Sequence, residues 1–219
     1  MTGQPVARAT EGFREALSSD GLSVRVAHRR NPYSYLMGAE QFDGLLLELG
    51  LRRASSIWRN HTADPQRAPR GVYERACMGF VLLDPTVSAS VSDPDAVLGV
   101  VAVGEGAAAF LPNAAAKAAG HRRLGRNYGE AVLVDPHLCG DGNFRYGHSA
   151  EVRGQIVGSS SQTTDQDLHE AAALAADFVG AITEIHLAWQ ERVGPGEWLG
   201  HDDAPADVYR DMVDWFPTT

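Results

Sequence analysis

The densest group of chemically capable side chains lies between Asp135 and His148, in the run DPHLCGDGNFRYGH: two imidazoles, a thiol and two carboxylates among glycines. Imidazole and thiolate are good ligands for transition-metal ions and for haem iron. His137, His148 and Cys139 are therefore candidate ligands, with the two histidines first for a metal ion and Tyr146 in the same loop lining such a site. The spacing matches neither the paired C-x-x-C of closed zinc sites nor the C-x-x-C-H of covalent haem attachment. Loop histidines and cysteines also serve as solvent-exposed or capping groups, and the residues alone leave both explanations open.

A second group is His28-Arg29-Arg30, followed by Tyr33 and Tyr35. Arginine forks pair well with carboxylates, so His28 and Arg29 are candidates for holding an anionic group such as a haem propionate. An ordinary basic loop is the competing explanation. His121-Arg122-Arg123 falls at the end of an expected helix, where positive charge complements the dipole. No nucleophile is marked. Ser159-Ser160-Ser161 lacks the G-x-S-x-G elbow, and Cys139 has no identifiable base partner. Gly104-Glu105-Gly106 is not followed by the Lys-Ser/Thr of a phosphate loop.

Several elements must position these residues. Ala7 to Leu17 reads as a short helix closed by Ser18-Ser19-Asp20-Gly21, and Leu22 to Ala27 as a strand. Glu40 to Trp58 has helical periodicity, with a bend or restart expected at Gly50. Asn60 to Arg70, polar with two prolines, reads as a connector. Cys77 to Leu83 and Ala96 to Val103 are β-prone and suited to antiparallel pairing, and the Ser/Asp/Pro-rich Thr86 to Asp95 between them reads as a mobile loop. Pro112 to Gly125 reads as a helix with Asn113 as cap and Gly125 as stop. Ala131 to Val134 reads as a brief strand.

The last unit is a β-prone run (VRGQIVG), a Ser-rich hinge (SSSQTTDQD) and a long alanine-rich helix. Thr164 with Asp167 imitates a capping box at its start. Leu168, Ala171, Ala175, Phe178, Ile182, Ile185 and Trp189 recur at helical spacing, and Gly194-Pro195-Gly196 ends it. The Ser run is explained by hinge and capping chemistry. Trp198, and after Pro205 Val208, Met212, Trp215 and Phe216, are spaced for a short amphipathic helix that either docks on the domain or covers a subunit contact or the mouth of a ligand pocket. The expected fold is an α+β domain: one antiparallel sheet covered by helices, with a long helix near the C-terminus.

A chain of 219 residues can bury a full core as one large domain. The expected organisation is an N-terminal extension over 1–39, an α/β domain over 40–193 and a C-terminal tail over 194–219. The formal net charge of −9 and a pI near 5.3 disfavour nucleic acid or an anionic membrane as partner, since either needs clustered basic surface. No apolar run approaches the roughly 20 residues that cross a bilayer, and the N-terminus has no signal-like apolar core, so a cytoplasmic location is expected. Cys77 and Cys139 are too few for a disulfide framework.

Taken in order, VLLDP, AVLGVVAV, NAAAKAAGHRRLG and RGQIVGSSSQTTDQDLHEAAALA resemble the GlcG/HbpS family, also called DUF336 or the haem-degrading family. That family has a VVDAGG-like first strand, a second strand, a helix with a KA-x-x-A-like element and a closing G-x-VG-x-x-G-x-SG-x-x-x-x-x-D segment. Asp84-Pro85 stands where the family has a Gly-rich turn, the first two strands are separated by a longer insertion, and the GG-x-P before the last hairpin is missing. The closing T-x-x-D-L-type cap and long helix are also similar to a GAF domain, and both families share a profilin-like layout. The first resemblance implies a homo-oligomeric haem-binding protein, with haem as cofactor, an axial ligand from the 137–148 loop or His28, and scope for haem-dependent catalysis. The second implies a non-enzymatic sensor of a small molecule.

Overall fold

The computed structural model describes residues 12–88, 90–125 and 148–194. Its elements are β1 (Arg14–Leu17), β2 (Ser23–His28), α1 (Ala39–His61), β3 (Met78–Leu83), β4 (Val97–Val103), α2 (Leu111–Leu124), β5 (Ala150–Val152), β6 (Gln155–Ser160) and α3 (Thr164–Val193). The strands form one antiparallel sheet in the order β1-β2-β4-β3-β6-β5. This is the expected α+β sheet with helices. The chain divides into two compact units, Met1–Thr183 and Glu184–Thr219. Within the second, the rings of His186 and Trp189 stack at 5.8 Å.

Alternation sorts the sheet into two faces, because successive strand side chains point opposite ways. Val24, Val26 and His28 of β2 are buried while Ser23, Arg25 and Ala27 are half-buried. The buried set meets α1, which turns Phe42, Leu46, Leu49, Ala54 and Ile57 inward. The first half of α3 packs beside α1, with Phe178 edge-on to Phe42 at 6.1 Å. On the other face α2 lies over β3 and β6, its Ala114 and Ala118 packed with Val81 and Leu83.

Two glycines let helices approach the sheet. A Cβ on Gly50 would come within 2.6 Å of Val24 Cγ1 and 2.9 Å of Val101 Cγ1, so α1 runs unbroken over the position where a bend was expected. Glycine there is a packing device rather than a helix breaker. A Cβ on Gly158 of β6 would lie 2.0 Å from the Ala114 carbonyl, which permits the alanine-lined α2 to sit directly on the strand.

Local expectations differ elsewhere. Arg14–Leu17 is a strand, not the end of a helix, because it pairs with β2 and sets Glu15 opposite Arg25. Two bonds close that hairpin, Ser18 N–H donating to the Leu22 carbonyl at 2.8 Å and Leu22 N–H to Ser18 Oγ at 3.0 Å, with Gly21 at φ 82°. Residues expected as an extension over 1–39 thus supply two strands of the main sheet. The VRGQIVG run is two strands, turned through Arg153 (φ 49°) and Gly154 (φ 86°). Helix α2 starts after Phe110 with Pro112 in its first turn and no side-chain cap, so Asn113 is not the cap. At α3 the reciprocal bonds belong to Thr163 and Gln166: Thr163 N–H donates to Gln166 Oε1 at 3.2 Å and Gln166 N–H to Thr163 Oγ1 at 3.5 Å. The cap is one residue earlier than Thr164. Helix α3 ends as expected, at Gly194 with φ 81°. By length and composition alone it could cross a membrane, yet its first half carries buried Asp167 and Glu170 into the domain core. The strand expected at 131–134 and the helix expected after Pro205 lie outside the described residues.

Candidate functional site

Strand register places the described candidates His28, Arg29 and His148 toward one end of the sheet. His28 is opposite Gly99, Gly99 opposite Leu82, Leu82 opposite Val157 and Val157 opposite Ala150. Four interstrand steps of about 4.8 Å put His28 roughly 19 Å from Ala150, two residues after His148. A metal–imidazole bond is about 2 Å long. His28 and Arg29 therefore cannot share one ion with His148, and the candidates divide between two flanks.

On the β2 flank the basic residues are held by carboxylates of this chain. His28 Nδ1 lies 2.6 Å from Asp43 Oδ1, its side chain is 4% exposed, and its ring meets Phe42 edge-on at 5.4 Å. Arg29 Nη2 pairs with Asp95 Oδ1 at 3.1 Å, and Arg30 Nε donates to Asp84 Oδ2 at 2.8 Å. Asp84 Oδ1 also accepts from the backbone N–H and hydroxyl of Thr86, at 2.8 and 2.6 Å. Burial, with the nearby Asp84 charge, pushes the Tyr33 phenol up to about 12. At His28 and Arg29, the candidates for holding an anionic group, both side chains are internally paired.

On the β5 flank the polar groups come from α2, where Lys117 and His121 are four apart and share a helix face. Lys117 Nζ, fully buried, donates to Asp167 Oδ2 at 2.7 Å and to the Ser159 carbonyl at 2.8 Å. Ser159 Oγ donates to the Asp167 carbonyl at 2.6 Å, and Gln162 N–H to Asp167 Oδ1 at 3.0 Å. Burial pushes the Asp167 carboxyl up; Lys117 and the backbone donors oppose it. One turn on, His121 Nδ1 lies 2.8 Å from Ser149 Oγ, and its Nε2 is 3.7 Å from Glu151 Oε2. His148, half-buried, directly precedes Ser149. His137, Cys139 and Tyr146 lie outside the described residues. Among the described residues no group of three or more His, Cys, Asp or Glu could hold a metal ion.

Between the flanks runs the connection from β3 to β4. Read as a mobile loop, it is instead held from both sides by the two His-Arg-Arg runs. Arg29 and Arg30 take Asp95 and Asp84, while Arg122 donates to Asp93 Oδ1 at 2.8 Å, to the Ser88 carbonyl at 2.6 Å and to the Val91 carbonyl at 2.9 Å. Arg123 Nε is 3.9 Å from Asp93 Oδ2. The dipole explanation for His121-Arg122-Arg123 omitted this role, because partners so far apart in sequence leave no local signal.

Two further features lie away from this end. Glu170, fully buried on α3, accepts from Ser56 Oγ at 2.8 Å, Tyr73 OH at 2.9 Å and Arg53 Nη1 at 3.3 Å, and ties α3 to α1. At the opposite end of the sheet an open cleft of about 710 Å³ is lined by Leu17, Leu22, Arg75, Cys77 and Glu105, among others. Burial pushes the Cys77 thiol up. The Ser run is not a hinge: Ser159 and Ser160 belong to β6, and Ser161 Oγ donates to the Cys77 carbonyl.

These positions bear on how each candidate could meet haem. The Asp43 bond at His28 Nδ1 is one a ligating imidazole also keeps, so what counts against His28 is enclosure of its side chain. Arg29 is partnered by Asp95. His148 is half-buried and keeps solvent access. Comparisons with protein-family models, with curated proteins and with solved structures found no match to this chain.

Proposed function

We propose that the protein is a small-molecule-binding α+β domain of GlcG/HbpS-like type that takes haem on the β5 flank, with His148 or His137 as the axial imidazole. One observation supports this reading most. Lys117, from the KA element quoted for the resemblance, and Asp167, the acid that ends its closing segment, form one buried pair at 2.7 Å. Residues fifty positions apart that meet in this way support a shared design of α2, β6 and α3. Haem, when bound, would supply its own redox chemistry; the chain's part is to hold it and limit water at the iron. Titration with ferric haem should give a saturable Soret change, and His148→Ala or His137→Ala should weaken binding about tenfold or more, the scale of 1.4 kcal/mol. A titration without saturable change ends the reading. Saturable binding unaltered in both variants moves the site elsewhere.

A second reading has its own observation. The cleft beside Arg75, Cys77 and Glu105 would suit a GAF-like sensor of a small polar molecule at the other end of the sheet. Arg75→Gln with Glu105→Gln would abolish such binding and leave haem binding unchanged.

A further inference from the structure

Sheet order leaves one surface without a covering helix among the described residues. α2 packs on β3 and β6 and stops short of β1 and β2, whose opposite face meets α1. On the uncovered face the register sets Leu17 opposite Ser23 and Glu15 opposite Arg25, with Ala102 of β4 next in that row. Phe13 is in phase with Glu15 and Leu17, and the Arg25 guanidinium carbon lies 5.8 Å from its ring centroid. Phe13 and Leu17 are 61% and 72% exposed, the most open of the large apolar side chains described. Exposed Tyr35, Leu187 and Val193 lie on other elements, and the last two, on α3, fall on different helix faces. The charges on the sheet face are also without carboxylate or cation partners. Among the described residues Glu15 has no ion pair or hydrogen bond, and Arg25 meets only the Phe13 ring, although the two stand opposite each other.

We propose that this face is the contact between two copies of the chain, packed across a two-fold axis that runs along the strands between β1 and β2. That operation lays Phe13 and Leu17 of β1 over the small Ala27 and Ser23 on β2 of the second copy, and sets each Glu15 against Arg25 of the other copy. A two-fold contact uses the same patch twice, so the patch must complement itself in shape and in charge. Large side chains on one strand, small ones on the next and an unpaired charge of opposite sign on each meet both requirements. Burial of the two apolar side chains drives association, and the two cross-copy charge pairs fix its register. Two strands about 4.8 Å apart and five residues at about 3.3 Å each make a patch well under the roughly 800 Å² per partner of a standard interface, so the dimer is reversible and concentration-dependent. Leu17 and Ser23 also line the cleft at this end of the sheet, so the second copy borders it.

Sedimentation and light scattering of the full chain test the contact. Wild type should move from the mass of one chain toward that of two as concentration rises. Glu15→Arg and Arg25→Glu should each raise the dissociation constant at least about tenfold. Mixing those two variants should restore association to near the wild-type strength, because in the mixed pair both contacts again join opposite charges. Leu17→Lys should abolish the dimer while the circular dichroism of the monomer stays at wild-type values, since that side chain is open in the single chain. Leu187→Lys, on α3, should leave the dimer unchanged. A wild type that stays monomeric at every concentration overturns the proposal and leaves the face to the residues before Gly12 or to a different protein. Dimers that survive Leu17→Lys and both charge variants, or that yield only to Leu187→Lys, overturn this face as the contact. Charge variants that each weaken association but do not recover on mixing overturn the two-fold pairing of Glu15 with Arg25.

Discussion

The two flanks of the candidate end use the same chemistry in opposite ways. On the β2 flank the basic residues sit on the strand's end and an adjoining loop, next to each other in sequence, and their acidic partners come from α1 and the β3–β4 connection. On the β5 flank the cations sit on one helix face, and Lys117 reaches a carboxylate that is itself held by a backbone N–H. The first arrangement fastens a segment to the sheet; the second sits inside the packing of α2, β6 and α3. A buried pair is a poor guarantee of net stability, but removal of one member strands the other without water. The flanks should therefore differ in what a single substitution does.

The largest expected effect is at Lys117. Lys117→Met leaves the Asp167 carboxylate buried without its cation and should destabilise the domain by about 3–5 kcal/mol in denaturant unfolding. Lys117→Met with Asp167→Leu should recover much of that loss. A single variant within about 1 kcal/mol of wild type would show that water reaches the pair and that the flanks do not differ. Next is Asp43. Asp43→Ala leaves a buried His28 nitrogen without its partner, at about 1–3 kcal/mol. Only a loss comparable with that of Lys117→Met would erase the contrast between pairs. The smallest effect is at the start of α3. Thr163→Ala removes a long capping bond and should shift the unfolding midpoint by the equivalent of about 0.5–1 kcal/mol, while Thr164→Ala should do less. The reverse order would return the cap to Thr164 and revise how α3 presents Asp167 to Lys117.

Much of the fold is legible in the residue pattern. β3 and β4 are apolar runs bounded by Asp84-Pro85 and Gly104, and α2 and α3 have helical spacing with glycine stops, so local propensity and periodicity agree there. The failures are informative for the opposite reason. Arg14 to Leu17 reads locally as the end of a helix and becomes a strand because the β2 edge is available to pair with it. Gly50 weakens a helix taken alone, yet in place it is what lets α1 close on Val24 and Val101. Thr163 and Thr164 are adjacent and chemically equivalent, so only backbone geometry decides which one caps.

Composition, the apolar strand runs and the helix stops by themselves determined the class of fold and the order of most elements, because those depend on interactions between neighbours in the chain. The partners of the charged groups were decided only in three dimensions. His28 meets Asp43, Lys117 meets Asp167, and two similar His-Arg-Arg runs converge on one connection, because the sheet order brings together elements that are remote in sequence. Periodicity records which face a side chain takes; it holds no information about which carboxylate that face will meet.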